Sequence, residues 1–376
     1  MRSSQKKIGY LTLNSVPHPS AASLNTLMML DGIYSAGYDV SLYAPSKPWR
    51  PSTFAKRLTN NLPAGYRHIA SINRCLQMSP YDKDRIAKRL VLKASSDGCI
   101  ALYIRNREFV PHAVSKGIPF VYEVHSNPDG VDGELPFQNE LYRRHVVLTN
   151  AARSAWIKRF PTLENKITVE ADAIADVNAL GIVLDYDIPP EKTALSGFKV
   201  GYFGGFTQGK GAGLVPAIAE DMPELEFHMY GGTVRDLKRV YPRRLPPNLN
   251  VGGRVRHEEC LGMMLKMNAL LLPNNYQQRM LNGDDIGETT SPIKLFEYMA
   301  SKRPIIASPI PAVFDVLDKG DCIICQPDDV EGWVRAIEAL RDSPELCCTL
   351  ANRAFRKLDG HTFGSRFGRI LSGVFD

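Results

Sequence analysis

The chain has 376 residues, of which 44% are hydrophobic and 23% are charged, a balance that is ordinary for a soluble globular protein of about two domains. No apolar run is long enough to span a membrane, and the stretch behind the basic N-terminus is broken by polar residues, unlike a signal peptide. The seven cysteines lack the spacing of a disulfide scaffold, which favours a reducing, cytoplasmic compartment.

The first half of the chain alternates predicted strands and helices, the order that is typical of a parallel sheet with helices on its faces. Residues 8–13 and 40–44 predict strands, with a helix between them. Because ligands of such sheets bind at the carboxyl ends of the strands, the loop from Asn14 to Ser23, which includes Ser20, is a candidate binding loop.

The formal net charge of +6 is concentrated in one region, since residues 46–93 hold eleven Lys and Arg against two acidic residues. Within it, residues 82–93 have the spacing of an amphipathic helix. Such a surface suits an anionic membrane or a phosphate-bearing acceptor, and it equally suits a solvated face with no partner. No nucleic-acid-binding motif accompanies the charge, so a nucleic acid is not a predicted partner.

Polar side chains follow two further predicted strands. Arg105 comes after the strand over residues 99–104, and His125 comes after the strand that begins at Ile118. A lone histidine in this position is often a hydrogen-bonded structural residue, so the pattern by itself leaves the role of His125 open. Strands over 145–149 and 166–170 complete the first predicted domain.

The second predicted domain begins after residues 188–197, which are punctuated by Pro and Gly and predict a linker. A strand is followed by a glycine-rich loop from Gly204 to Gly211 that contains Lys210. The loop nearly matches the phosphate-binding pattern G-x-x-x-x-G-K-[ST], but Gly211 replaces the hydroxyl residue that would hold Mg²⁺. The pattern therefore does not predict a P-loop ATPase.

The most specific pattern of the chain lies between Glu288 and Pro311. Ser291 is expected to be the N-cap of a helix and Pro292 its first residue, while Pro304 ends the helix before a buried strand. Lys294 in the first turn and the free N–H groups predict an anion site, which favours phosphate by about 0.3–1 kcal/mol per exposed charge. Glu297, further along the helix, can accept two hydroxyl groups of a sugar.

This stretch resembles the donor-site motif of GT-B glycosyltransferases, particularly the retaining family numbered 4. Its pattern, Ser-Pro-x-Lys-x-x-Glu-Tyr-Met-Ala and then Pro-Ile-Ile-Ala-Ser, is matched by 291–300 and 304–308. The resemblance implies an α/β fold of two Rossmann-like domains that face a cleft. Residues 1–187 would bind the acceptor and 198–360 the nucleotide-sugar, with 361–376 crossing back as a helix onto the first domain.

The resemblance also implies roles for individual residues. Lys210, Ser291 and Lys294 would stabilise the departing nucleoside diphosphate without a metal ion or a cofactor, and His125 would lie near the transferred sugar and the acceptor. The implied catalytic residues are His125, Lys210 and Lys294. The implied donor-binding set is Gly204, Gly205, Lys210, Val255, Thr290, Ser291, Pro292, Ile293, Lys294 and Glu297, and the acceptor-side set is Asn14, Ser20 and Arg105.

Two positions depart from the family pattern. Gly205 stands where many members carry an arginine, and Thr289 stands where many carry a glutamate, a contact that Glu288 or a nearby carboxylate would have to replace. Three hypotheses therefore remain open. The first is an active glycosyltransferase that uses a nucleotide-sugar such as a UDP-sugar and a lipid-linked or polysaccharide acceptor. Such an enzyme would act at the inner face of the cell membrane, in a bacterial envelope pathway. The second is another GT-B enzyme, such as a nucleotide-sugar epimerase, and the third is an inactive nucleotide-sugar-binding protein.

Overall fold

A computed structural model describes residues 6–14, 16, 21–45, 71–75, 82–130, 135–175, 197–277, 287, 289 and 291–375. The chain forms two compact units, the first made of 1–148, 152–182 and 362–376 and the second of 149–151 and 183–361. Apart from Gly197, the predicted linker lies outside the described residues, as do Ser20, Glu288 and Thr290. The predicted domain limits stay a prediction.

The first unit is built on a parallel sheet which, within the described residues, has seven strands in the order β3-β2-β1-β4-β5-β6-β7. Its central strands are apolar and buried on both faces because helices cover both sides of the sheet. The strands are β1 Lys7–Leu11, β2 Asp39–Pro45, β3 Ser71–Cys75, β4 Ala101–Ile104, β5 Phe120–Glu123, β6 Tyr142–Val147 and β7 Ile167–Val169. The helices are α1 Ala21–Ser35, α2 Lys83–Ser96, α3 Val110–Ser115 and α4 Asn150–Arg159.

The second unit has a parallel sheet of six strands among its described residues, in the order β10-β9-β8-β11-β12-β13. The strands are β8 Lys199–Phe203, β9 Glu226–Tyr230, β10 Leu249–Val251, β11 Ala269–Leu272, β12 Ile305–Ala307 and β13 Ile323–Ile324. The helices are α5 Leu214–Asp221, α6 Val234–Val240, α7 His257–Met264, α8 Ile293–Ala300, α9 Pro311–Phe314, α10 Val330–Asp342 and α11 Pro344–Arg356, and the last helix of the described chain is α12 Phe363–Leu371.

Helix α12 belongs to the first unit, where it packs along α1. The close approach depends on Gly32 of α1, because a Cβ atom at that position would lie 2.7 Å from a ring carbon of Phe367 and 2.8 Å from Phe363. Phe363, Phe367, Ile370 and Leu371 join α1 and strands β1, β2 and β4 in one apolar cluster. The predicted return of the C-terminal helix to the first domain is confirmed, as is the α/β class.

Each sheet reverses its strand order at one place, between β1 and β4 in the first unit and between β8 and β11 in the second. Loops that leave the carboxyl ends of the strands diverge there, and this is where open α/β sheets bind ligands. Arg105 follows β4 directly, while the Lys210 loop follows β8 and the segment leading to Lys294 follows β11. Asn14 follows β1. All four of these predicted site segments therefore leave strands that border a switch point.

Candidate functional site

The glycine-rich loop of the second unit is fastened from two sides. The Tyr202 hydroxyl donates to the carbonyl oxygens of Gly205 at 2.9 Å and Lys210 at 3.3 Å. Asn275, beyond β11, donates its backbone N–H to the Gly209 oxygen at 3.0 Å and its Nδ2 to the Gln208 oxygen at 2.7 Å. These bonds hold the backbone that carries Lys210 against the neighbouring strand exit.

Gly211 explains why the loop departs from the P-loop pattern. Its φ is +65°, and a Cβ atom there would lie 1.7 Å from the carbonyl oxygen of Pro273. Only glycine fits such a backbone conformation and contact without rearrangement. The position that would need a magnesium-binding hydroxyl is therefore occupied by a residue that the packing requires.

The helix that carries Lys294 begins one residue later than the sequence predicts. Pro292 is the N-cap, with extended backbone angles of φ −78° and ψ 111°, and no side chain caps the helix, so the predicted N-cap role of Ser291 is wrong. Ser291 is buried, whereas Pro292 and Ile293 are half-buried. The first turn still presents backbone N–H groups, which keeps the anion-binding character of this helix end.

Tyr298 anchors α8 at the centre of the sheet. Its hydroxyl accepts the backbone N–H of Phe203 at 2.8 Å and donates to the Leu271 carbonyl oxygen at 3.2 Å. The two partners belong to β8 and β11, the strands on either side of the switch point. The helix is thus held where both candidate phosphate-binding segments begin.

Lys294 and Glu297 form an ion pair on this helix, and His257 of the neighbouring helix lies beside it. Lys294 Nζ donates to Glu297 Oε2, and Glu297 Oε1 lies 3.4 Å from His257 Nδ1. Although burial acts to lower the pKa of Lys294, the Glu297 carboxylate raises it above its ordinary value. The carboxylate therefore keeps Lys294 charged in a partly buried position.

Lys210 and Lys294 lie within electrostatic range of each other. Desolvation by the surrounding atoms, and then the charge of Lys294, lower the pKa of Lys210, although its side chain still reaches solvent. The two ammonium groups repel each other, and the Glu297 carboxylate that pairs with Lys294 offsets part of this repulsion. Lys210 and Lys294 thus act on each other's charge within the second unit, and their binding of a diphosphate stays a prediction.

Val255, a member of the implied donor-binding set, is half-buried in the loop that follows β10 and precedes α7. A Cβ atom on Gly252 would lie 2.0 Å from the ring of Tyr230, so glycine lets the loop lie directly on that ring. Tyr230 stacks on Phe203 with centroids 5.0 Å apart, and the Gly231 N–H donates to the Gly253 oxygen at 2.7 Å. The loop thus rests on an aromatic surface beside the Lys210 loop.

The two departures from the family pattern have different surroundings. Thr289 is buried, with 4% of its surface exposed. At Gly205, in contrast, a Cβ atom would meet no atom within 4 Å. The structure therefore leaves room for a side chain at position 205, while the contacts predicted for Glu288 and Thr290 stay predictions.

In the first unit the structure brings Arg105 and His125 together around Glu123. Arg105 Nη2 lies 2.9 Å from His125 Nδ1, and His125 Nε2 lies 2.6 Å from Glu123 Oε1. Because a guanidinium can only donate, Nδ1 must accept, and Nε2 must carry the proton that it donates to Glu123. Burial, and then the Arg105 charge, lower the pKa of His125, in agreement with a neutral ring.

Glu123 is fully buried and is held by cations on two sides. Arg366 Nη2 lies 3.0 Å from Oε2 and Arg105 Nη1 lies 3.5 Å from Oε1, while the Tyr103 hydroxyl also donates to Oε2. Burial alone would raise the pKa of Glu123, but Arg366 and Arg105 hold it well below its ordinary value. Glu123 is therefore ionised and is not available as a proton donor at neutral pH.

The acceptor-side loops are tied to each other near this group. Asn106, which follows Arg105, accepts the backbone N–H of Leu13 at 2.8 Å, which links the exits of β4 and β1. Asn14 is exposed and donates its backbone N–H to the Thr12 hydroxyl at 3.1 Å. Its predicted contact with an acceptor stays a prediction, as does that of Ser20.

Sequence reasoning missed Arg366, His257 and Asp172, a buried carboxyl group whose charge acts on His125. Arg366 stands at helical spacing among the apolar residues of α12, and a single charge inside an apolar stripe was a signal that it is buried against a counter-ion. Asp172 follows β7, as His125 follows β5, so the rule that ligands gather at strand ends could have singled it out. Nothing in the spacing of His257 points to Glu297.

Two features are absent from the described residues. No cluster of three or more His, Cys, Asp or Glu side chains in this part of the chain is arranged to hold a metal ion. Among the same residues, no helix has both the length and the apolar composition that crossing a membrane requires.

Residues 198–343 match the family described as Glycosyl transferases group 1. A comparison with curated protein sequences gives no match.

Solved structures resemble the whole chain. Sucrose-phosphate synthase from Thermosynechococcus elongatus is 14% identical, with a TM-score of 0.67 and 99% of each chain covered. HepE from Anabaena in complex with UDP-glucose is 14% identical, with a TM-score of 0.68, 97% of this chain and 99% of that chain covered. A mutant of S. aureus TarM in complex with Fondaparinux, alpha-GlcNAc-glycerol and UDP is 11% identical, with a TM-score of 0.68 and coverage of 99% and 100%. At these identities the likeness shows the fold, and the predicted GT-B fold is confirmed.

Proposed function

We propose that this chain is a glycosyltransferase that moves a sugar from a UDP-sugar to a lipid-linked or polysaccharide acceptor, because residues 198–343 match the family described as Glycosyl transferases group 1. The nucleotide is proposed from the HepE and TarM structures, which were determined with UDP or UDP-glucose. The alternatives of an epimerase and of an inactive binding protein gain no support from a particular contact in the structure.

One observation carries the proposal: Lys210, on the loop after β8, and Lys294, in the first turn of α8, lie close enough for the charge of Lys294 to lower the pKa of Lys210. When the bond between the sugar and the nucleotide breaks, negative charge develops on the departing diphosphate. Cationic donors that already lie in position stabilise this charge more than they stabilise the bound substrate, and such stabilisation is commonly the largest catalytic contribution. Lys210 and Lys294 would act in this way.

Glu297 has two duties in this proposal. In the structure it keeps Lys294 charged, and in the complex it would accept hydroxyl groups of the ribose. The two duties are compatible because an ionised carboxylate has about four lone-pair positions, of which Lys294 uses one on Oε2 while His257 lies 3.4 Å from Oε1. His257 would then steady the carboxylate when Lys294 turns towards the diphosphate.

The remaining features of the reaction are proposed from the family resemblance. The two lysines would supply the charge that a metal ion supplies in other enzymes, and no cofactor would be needed. The sugar would be transferred with retention, by attack from the face that the nucleotide leaves. An unchanged rate of transfer in EDTA would support the metal-independent reaction. Proton NMR of the anomeric signal of the first product would test whether the configuration is retained.

The site is tested by replacing Lys294 with Gln and measuring UDP binding by calorimetry. Loss of a hydrogen bond to a charged group should weaken binding by about 1.5–3 kcal/mol, which is roughly a 10- to 150-fold rise in Kd. Lys302→Gln is the matched control, because Lys302 follows the opposite end of α8 and its ammonium lies over the Phe355 ring. Equal affinity in the two variants would remove Lys294 from the site.

The activity itself is tested by incubating the protein with UDP-, GDP- and ADP-sugars, with and without lipid-linked acceptors. Nucleoside diphosphate release that depends on the acceptor is the expected result. Isomerisation of the sugar would support an epimerase instead, and binding without turnover would support an inactive binding protein.

We also propose that the first unit contacts an anionic membrane at its inner, cytoplasmic face through α2. Five cations on this helix are exposed while its apolar side packs into the core, although Lys83 and Lys93 already lie near Glu108 and Asp97. Each unneutralised cation near an anionic surface contributes about 1 kcal/mol. The exposed cations are Lys83, Arg85, Lys88, Arg89 and Lys93.

Vesicle sedimentation tests this contact. Changing Lys83, Arg85, Lys88 and Arg89 to Gln should release the protein from vesicles that contain phosphatidylserine and should leave UDP binding unchanged. Changing the exposed Arg235, Lys238 and Arg239 of α6 is the control for net charge. If both sets of changes reduce sedimentation equally, α2 has no specific role.

A further inference from the structure

Arg366 of the C-terminal helix is fully buried and is fixed in three directions. Its Nη2 lies 3.0 Å from Glu123 Oε2 and donates to the Glu170 carbonyl oxygen at 3.1 Å, and its Nε donates to the Ala171 carbonyl oxygen at 2.7 Å. These partners lie at the end of β5 and just after β7. The guanidinium therefore joins the last helix to the carboxyl edge of the first sheet.

Arg366 and Tyr103 together occupy one oxygen of Glu123. Both approach Oε2, which leaves Oε1 as the oxygen that faces His125 Nε2 at 2.6 Å and Arg105 Nη1 at 3.5 Å. A carboxylate held in this way cannot rotate without losing bonds at both oxygens. Oε1 and Arg105 together keep the proton of His125 on Nε2, because Oε1 accepts it there and Arg105 donates to Nδ1.

We propose that Arg366 is a positioning residue for glycosyl transfer, which holds Glu123 so that His125 stays a neutral ring with its proton on Nε2 and its Nδ1 bonded to Arg105. The inference rests on the proposed function, because it takes His125 and Arg105 as the acceptor-side group. Arg366 acts on the substrate only through Glu123 and His125.

The charges around His125 give the consequence of losing Arg366. Without Arg366, Arg105 is the remaining guanidinium beside the Glu123 carboxylate among the described residues, and the attraction of Glu123 for a proton on His125 increases. A protonated ring would carry a hydrogen on Nδ1, which must then turn away from Arg105 Nη2. The groups that face His125 or its partners from the packed elements are Tyr10 of β1, Tyr103 of β4, Arg105 after β4, Glu123 of β5, Asp172 after β7 and Arg366 of α12.

A purely structural role for Arg366 makes a different prediction. The apolar residues of α12 already hold the helix on α1, and Arg369 on the same helix pairs with Glu170 at 2.8 Å without touching Glu123. If Arg366 only fastened the helix, its loss would lower stability and would not alter the proton on His125. Arg369→Met is therefore the matched control.

The test compares Arg366→Met, Arg366→Lys and Arg369→Met with the parent protein. The protein is labelled with ¹⁵N-histidine, and the NMR signals of His125 are assigned by their loss in His125→Gln. At pH 7 the ¹⁵N chemical shift of Nδ1 should be that of an unprotonated ring nitrogen, and the shift of Nε2 should be that of a protonated one. In Arg366→Met the midpoint of His125 protonation should move to higher pH, and transfer should slow by at least about tenfold at pH 7, in line with the cost of small misplacements. The KM for the donor should change little, because the phosphate-binding lysines belong to the second unit.

Arg366→Lys should recover part of the rate and of the parent midpoint, and Arg369→Met should keep both. An unchanged midpoint and an unchanged rate in Arg366→Met would overturn the inference. If Arg366→Met does not fold, the midpoint of His125 protonation in Arg366→Lys decides. A midpoint above that of the parent supports the inference, because a lysine cannot reproduce all three contacts of the guanidinium, and an unchanged midpoint overturns it. The NMR measurement needs no substrate, so an absence of transferase activity would defeat the proposed function and leave this inference to be decided by the midpoint.

Discussion

His145 of β6 should make the first unit sensitive to acid. The side chain is fully buried, its Nδ1 lies 2.7 Å from the Tyr142 hydroxyl, and its ring lies 4.5 Å from the Trp156 ring centroid. Its Nε2 has no hydrogen-bond partner within the described part of the chain. Burial among aromatic rings lowers the pKa of His145 to about 3.

The size of the effect follows from linkage between protonation and folding. A histidine whose pKa is lowered in the folded state binds its proton on unfolding, so stability is present above the unfolded pKa of about 6.5 and is lost as pH falls towards 3. Each pH unit below about 6 should cost about 1.4 kcal/mol, which gives about 2 kcal/mol at pH 5 relative to pH 8.

The substitution His145→Asn tests this value. Asn keeps a polar atom near the position of Nδ1 for the Tyr142 hydroxyl but does not titrate. Urea unfolding followed by tryptophan fluorescence and circular dichroism at pH 8 measures the cost of the substitution itself, which serves as the internal control. At pH 5 the difference between parent and variant should shift by about 2 kcal/mol in favour of the variant. The same difference at both pH values would show that His145 is not the acid-sensitive group.

Two further predictions concern the glycine-rich loop and use UDP binding measured by calorimetry. A Cβ atom at position 205 would meet nothing within 4 Å, so Gly205→Arg should fold normally. The arginine adds a donor for the diphosphate, which should tighten UDP binding by up to about 1.5–3 kcal/mol. Weaker binding would mean that the loop does not face the nucleotide. Gly211→Ala places a Cβ atom 1.7 Å from the Pro273 carbonyl oxygen at a φ of +65°, so the loop must shift. UDP binding should then weaken at least about tenfold. Gly205→Ala is the control and should bind UDP like the parent protein. Similar affinities in the two alanine variants would contradict the packing argument.

The elements of the second unit were largely predictable because their signals are local. The alternation of apolar strands with helices, the glycine loop and the Pro-rich ends of α8 all act within a few residues of the chain. The start of α8 was misplaced by one residue because Pro292 suits both an extended cap and a first helical position. A choice between these depends on packing around the helix.

The buried group in the first unit was only partly predictable. Arg105 and His125 could be singled out because both follow strands, but Arg366 reaches Glu123 across more than half of the chain. Sequence spacing gives no distance between residues so far apart, and it does not show which of many arginines lies opposite a buried carboxylate. The pairing becomes visible only when α12 is placed on α1.

The position of α12 also has a consequence for synthesis of the chain. The first unit is completed by residues 362–376, so α1 and its apolar partners lack their cover until the second unit has been translated. At a translation rate of about 5–20 residues per second, synthesis of the second unit takes roughly 10–40 s, and the apolar surface of α1 stays uncovered for that time. The nascent first unit should therefore bind holdase chaperones during this interval, and a stop codon before Phe363 should yield a protein that aggregates through α1.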